Sequence, residues 1–97
     1  MKAEFATFQQ GENWCNGTVG GYVFEAKSFD TGSSFGIDNG RVSKLVIKRA
    51  DTVGNGNGYF DGVVVSYDRG WDIEPTPEVR PYFDAVMELL ENAPKRF

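Results

Sequence analysis

Hydrophobic and polar positions alternate along the first two-thirds of the chain and then change period. In Tyr22–Phe29, Tyr22, Phe24 and Ala26 fall on one side of an extended backbone, with Glu25 and Lys27 on the other. That period of two predicts a strand with one wet face. Trp14–Val19 precedes it across Gly20-Gly21, two residues that accept positive φ, so the pair reads as a hairpin. Arg41–Arg49 returns to strand chemistry. Leu45 and Ile47 share one face, and Lys44 and Lys48 share the other with Val42 and Val46. A further strand is predicted over Tyr59–Tyr67, around the β-branched run Val63-Val64-Val65.

Residues 1–13 place Phe5 and Phe8 among polar positions and read as an edge strand or an extended arm, closing in a turn cluster at Gln9–Asn13. Asp30–Gly40 is a loop that contains Phe35 and Ile37, which either plug the end of the core or wait for a partner. Ala50–Gly58 is a second loop, ending in Gly54-Asn55-Gly56-Asn57-Gly58.

From residue 76 the period becomes helical. Val79, Tyr82, Phe83, Val86, Met87 and Leu90 fill an arc of about 140° at ~100° per residue. Thr76 is placed as the cap, Pro77 at the first helical position and Glu78 at the positive end of the dipole. Pro81 lacks an N–H, so the first turn is predicted to be a loose 3₁₀ turn with regular helix from Pro81. Asn92 and Pro94 end it. The expected fold is one α+β domain over residues 1–97. Residues 14–67 form an antiparallel meander of four to five strands, 68–75 a linker, and 76–92 a C-terminal amphipathic helix across the sheet.

Composition narrows the chemistry. With 14 acidic and 10 basic residues the net charge is −4, which opposes a dedicated nucleic-acid binder but suits a basic partner. One cysteine, Cys15, and no histidine exclude an intramolecular disulfide, a Ser-His-Asp or Cys-His arrangement and a thiolate–imidazole zinc cage. No apolar run approaches ~18 residues, and Met1–Gln10 lacks the apolar core of a signal peptide, so a cytoplasmic location is expected.

Cys15, beside Trp14 in a strand, reads as a small buried hydrophobe. Asp72 and Glu74 project from one face of an extended segment and read as a solvated pair before the helix; a small enzyme would need them, or Cys15, inside a pocket. The glycine loop stands between strands, where a phosphate cradle would need a following helix. Asp51, Asn55, Asn57 and Asp61 lack the spacing of a calcium loop. No catalytic residue, metal or cofactor is therefore expected.

Binding remains. Tyr67-Asp68-Arg69-Gly70-Trp71-Asp72-Ile73-Glu74-Pro75 concentrates an arginine, a tryptophan and carboxylates, and Trp and Arg lead interface hot spots. Arg69, Trp71 and Asp72 are the candidate contact, with Trp14 and Phe35 as neighbours; alternatively, Trp71 covers the sheet edge or the helix start. Tyr67–Glu91 carries seven acids against two arginines. On the helix, Asp84, Glu88 and Glu91 form an acidic face with no lysine four residues away, fit to steer a basic partner or to be solvated. The expected function is a non-catalytic protein-binding module, the partner being another protein or a second copy. The alternative is a nucleic-acid or nucleotide binder using Arg41, Lys44 and Lys48 with a nearby aromatic.

Phe35-Gly36-Ile37-Asp38-Asn39-Gly40-Arg41-Val42-Ser43-Lys44-Leu45 and the Tyr67–Pro75 motif, with the hairpin around Gly17–Lys27, resemble a family of small uncharacterised domains. The resemblance spans roughly residues 14–91. It points to Gram-positive and gut bacteria, their phages and conjugative elements. It implies no activity, only a setting rich in small accessory proteins that act by binding.

Overall fold

The computed structural model describes residues 1–52 and 62–97. Within them the alternating segments form β1 (Ala3–Phe8), β2 (Trp14–Val19), β3 (Tyr22–Ser28), β4 (Val42–Arg49), β5 (Val63–Asp68) and β6 (Trp71–Ile73), followed by α1 (Arg80–Glu91). The strands follow one another across a single sheet, each antiparallel to the next. This is the α+β meander the pattern predicts, with six strands in place of four to five. Residues 1–13 supply an edge strand, not a free arm. The predicted strand start at Tyr59, the Gly54–Gly58 loop and the Asn55, Asn57 and Asp61 positions lie outside the described residues.

The sixth strand corrects the linker reading of residues 68–75. Arg69 takes a left-handed φ of 56° and turns the chain back on itself. Trp71 then pairs with Tyr67, and Ile73 with Ser66. A three-residue edge strand with an aspartate at its centre carries no alternation to read.

One face of the sheet is the core. Cys15, Ala26, Leu45 and Tyr67 lie in one cross-strand row, and Phe24, Ile47 and Val65 lie in the next. All seven are buried in one cluster with Val79, which precedes α1, and with Phe83, Val86 and Leu90 of α1. Each such large aliphatic or aromatic side chain contributes roughly 1.5–3 kcal/mol by leaving water. Val42 belongs to this face as well, which corrects its expected place beside the lysines. Between the pairs Lys27–Lys44 and Ser28–Val42 the register slips by one residue at Ser43. A bulge of that kind flips every side chain beyond it.

The helix begins as Pro81 dictates. Val79 and Arg80 N–H both donate to the Thr76 carbonyl (3.0 and 2.9 Å), closing a loose turn before regular helix starts at Arg80. Thr76 serves through its carbonyl and not, as expected, through a side-chain cap; the cap position is Val79, with no side-chain hydrogen bond. Asn92 ends the helix, its amide donating to the Glu88 carbonyl at 2.8 Å.

Among the described residues the opposite face carries no helix. Near the end of that face where β3 stops and β4 starts, one row runs Trp14, Lys27, Lys44, Asp68 across β2, β3, β4 and β5.

Candidate functional site

At the end of the sheet where β3 stops and β4 starts, the Asp30–Gly40 loop folds against the strand ends. Its turns are internally bonded. Gly36 N–H donates to Ser33 O, Asn39 N–H to Gly36 O, Gly40 N–H to Ile37 O and Ser33 N–H to Gly40 O, all between 2.9 and 3.1 Å. Gly36 is required by contact: a Cβ there would lie inside the Gly40 carbonyl. The two apolar residues of the loop differ in exposure. Ile37 is buried at 3% exposure and plugs the core, while Phe35 stands 59% exposed.

Between this loop, the strand ends and the β5–β6 turn lies a concavity of about 470 Å³. Lys27, Phe29, Phe35, Ser43, Lys44 and Arg69 line it, with the loop residues Thr31, Gly32 and Ser33. That volume lies within the ~300–1,000 Å³ of ordinary ligand sites. A smaller hollow of about 230 Å³ adjoins it, lined by Trp14, Glu25, Asp68 and Asp72 among others, and Lys44 belongs to both. Lys27 Nζ sits 5.7 Å from the Phe29 ring centroid, and Lys44 Nζ 5.9 Å from that of Trp14. Asp68 Oδ1 lies 3.7 Å from Lys44 Nζ and 3.6 Å from Arg69 Nε. These are ion-pair separations beyond hydrogen-bond length.

Two other hollows present mainly apolar surface. One lies on the open sheet face over Val23 and Val46 (about 340 Å³), the other between β1 and α1 beside Phe5 and Leu89 (about 480 Å³). Neither gathers three cations and two exposed aromatic rings.

The residues singled out from sequence separate in space. Phe35 and Arg69 line the main concavity, Trp14 and Asp72 the adjoining one, and Lys44 joins them. Trp71 lines neither. Its ring packs 5.1 Å from Tyr67 and 5.7 Å from Phe83, so it covers the sheet edge beside the helix while remaining 38% exposed. Lys48 lies on the open face, lining the hollow over Val23 and Val46.

Arg41 is not on that face. Its Nε donates to Phe29 O (2.7 Å), and one terminal nitrogen donates to Glu91 O and Ala93 O (2.9 Å each), which clips the loop to the end of α1. Glu91 in turn accepts Arg41 N–H on both carboxylate oxygens, at 3.1 and 2.8 Å. It therefore leaves the expected acidic stripe. Asp84 pairs with Arg80 four residues earlier (3.2 Å), and Glu88 remains exposed.

Lys27 and Phe29 were not among the residues expected at the site. Their signal was the alternation itself, which put Lys27 on the wet face but could not show Lys44 opposite it. Cys15 is buried, as expected, and its Sγ lies 3.7 Å from Ala26 O. Burial pushes its thiol pKa up, against the nearby Arg96 charge. Asp72 and Glu74 are exposed. Among the described residues no group of three or more Cys, Asp or Glu side chains is placed to hold a metal, and no helix is long and apolar enough to cross a membrane.

The model of the family described as a domain of unknown function (DUF7678) matches residues 13–91, and the chain belongs to that family. No curated protein and no solved structure matches it. Residues outside the match, at both ends, are joined to each other: Gly11 N–H donates to Arg96 O at 2.8 Å.

Proposed function

We propose that this member of the family is a non-catalytic binding module that docks on another protein through the concavity at the β3–β4 end of the sheet. The observation that carries this reading is Phe35. A large aromatic held 59% exposed is unusual on a loop this firmly tied down, with Ile37 in the core and the Phe35 carbonyl bonded to Tyr67. Fixing such a ring before binding lowers the ordering cost of the complex. Arg69 beside it, and Phe29 and Trp14 nearby, supply the other side chains favoured at hot spots. The proposal takes the protein to be a cytoplasmic accessory factor, in keeping with the mobile-element setting of the resemblance.

A photo-crosslinking amino acid at Ser34, beside Phe35, tests this in lysate of the native host, with the same group at exposed Glu78 as control. One protein species captured from Ser34 and not from Glu78, and lost on Phe35→Ala/Arg69→Gln, is the expected result. Equal capture from both positions overturns the reading. A nuclease-sensitive adduct would favour single-stranded nucleic acid, a second reading supported by the Lys27–Phe29 and Lys44–Trp14 pairs.

A further inference from the structure

Lys27 and Lys44 stand directly opposite each other on neighbouring strands. Like charges in that position destabilise a sheet. The neighbouring strand places Asp68 beside Lys44, and the same carboxylate is shared with Arg69. Lys27 has no carboxylate within 4.0 Å among the described residues. None of the three side chains donates a hydrogen bond among the described residues, since the Asp68 contacts are too long to count. The concavity thus gathers three cations that have only one carboxylate, Asp68, shared between Lys44 and Arg69, and its own lining contains no acid.

We infer that the concavity takes one carboxylate of an extended peptide segment of the partner, with a large apolar side chain beside it between Phe29 and Phe35. This rests on the protein-binding reading above. The carboxylate relieves the Lys27–Lys44 repulsion and accepts from Arg69, whose planar fork matches it. The same geometry argues against a continuous polyanion. Glu25, Asp68 and Asp72 line the adjoining depression, so a phosphate backbone leaving the concavity across the sheet meets acids at once. A single oxyanion does not.

The test is an amide-resolved NMR titration of the full chain with acetyl-Leu-Asp-Phe-amide, with the same peptide carrying Asn for Asp, and with a short oligothymidylate. Shifts are expected at Ser33, Ser34, Phe35, Ser43 and Arg69, with the Asp peptide about tenfold tighter than its Asn counterpart. Lys27→Met should remove that preference and Lys27→Arg restore it, in spectra whose dispersion reports an intact fold. Equal affinity for the Asp and Asn peptides, shifts centred elsewhere, no shifts at all, or tighter binding of the oligothymidylate would each overturn the assignment. Specific capture from Ser34 together with equal peptide affinities would end the carboxylate assignment while leaving protein docking in place.

Discussion

Tyr67 Oη donates a hydrogen bond to the carbonyl oxygen of Phe35 at 2.9 Å, across 32 residues of sequence. Tyr67 is a core residue of β5 at 7% exposure, and Phe35 is among the most exposed apolar residues of the chain. A buried ring therefore reaches out and fixes the backbone of an exposed one. The side chain that would meet a partner is positioned by the side chain that packs the sheet.

Tyr67→Phe isolates that link. The ring and its packing on Trp71 remain, and only the hydroxyl is lost. Stability should fall by about 1 kcal/mol, the usual net worth of one hydrogen bond. Hydrogen exchange should accelerate at Gly36, Asn39 and Gly40, whose amides close the loop's turns, while exchange in β2 and β3 stays unchanged. Unchanged exchange in the loop would mean that its own turns hold Phe35 without help.

Trp71 and Phe35 should behave oppositely on truncation. Trp71 rests on Tyr67 and Phe83, so Trp71→Ala should cost about 1–3 kcal/mol in denaturant unfolding. Phe35→Ala removes an exposed ring and should stay within about 0.5 kcal/mol of the parent. Partner capture should reverse the ranking, lost with Phe35→Ala and kept by folded Trp71→Ala. A stability-neutral Trp71→Ala that loses capture would return Trp71 to the interface.

The faces of β2 to β5 and the helix arc were legible because each is a local repeat of two or 3.6 residues. The β2–β3 hairpin was legible because Gly20-Gly21 marks its turn, whereas the β5–β6 hairpin offers no such repeat. Val42 was not, because the slip at Ser43 depends on how β3 and β4 align. Glu91 and Arg41 looked like surface charges because nothing local brings position 41 to position 91. The site failed to show for the same reason: strand pairing and the Tyr67–Phe35 hydrogen bond, both long-range, set Lys27, Phe35, Lys44 and Arg69 side by side. Trp71 stood out by residue type, yet residue type does not say which face of the sheet it takes.

Arg96 was invisible to pattern reading and is held by more partners than most residues of the fold. At 3% exposure its guanidinium donates to the carbonyls of Asn13, Trp14 and Ser28 and to Ser28 Oγ (2.6–3.2 Å), and it lies 4.4 Å from the Phe8 ring centroid. It ties β1, the start of β2 and the end of β3 together. Arg96→Ala strands those acceptors, and a loss of about 3 kcal/mol is expected. Arg96→Lys should recover less than half of it, since an ammonium cannot reproduce the fork. Calorimetric melting of the three proteins decides the point.

The segment around Arg96 should also respond to acid. Asp30 accepts the Arg96 N–H on one oxygen (2.9 Å) and the Phe97 N–H on the other (3.0 Å), and the Arg96 bond leads in holding its carboxyl below the usual range. A folded pKa below the unfolded one means that this contribution is complete above the ordinary aspartate value of about 3.9 and is lost as pH falls through the folded value. The Arg96 and Phe97 amide shifts should titrate together, with a midpoint below that of an ordinary aspartate. Asp30→Asn should remove the transition. A midpoint at or above the ordinary value would show that these bonds do not favour the charged form.

The Lys27–Lys44 pair makes the last prediction, in which stability and binding move in opposite directions. Replacing one member of a like-charged cross-strand pair removes repulsion, so Lys27→Met should raise stability by about 0.2–1 kcal/mol. Added salt should stabilise the parent more than the variant, because ions screen a repulsion that only the parent retains. The same substitution should abolish the preference for a carboxylate-bearing peptide. Sites held ready for a ligand commonly carry such a cost in the free protein. Urea unfolding of parent and variant at low and high salt measures it. If Lys27→Met is destabilising at low salt, the stem of Lys27 over Phe29 outweighs the repulsion, and the pair is not held in wait for an anion.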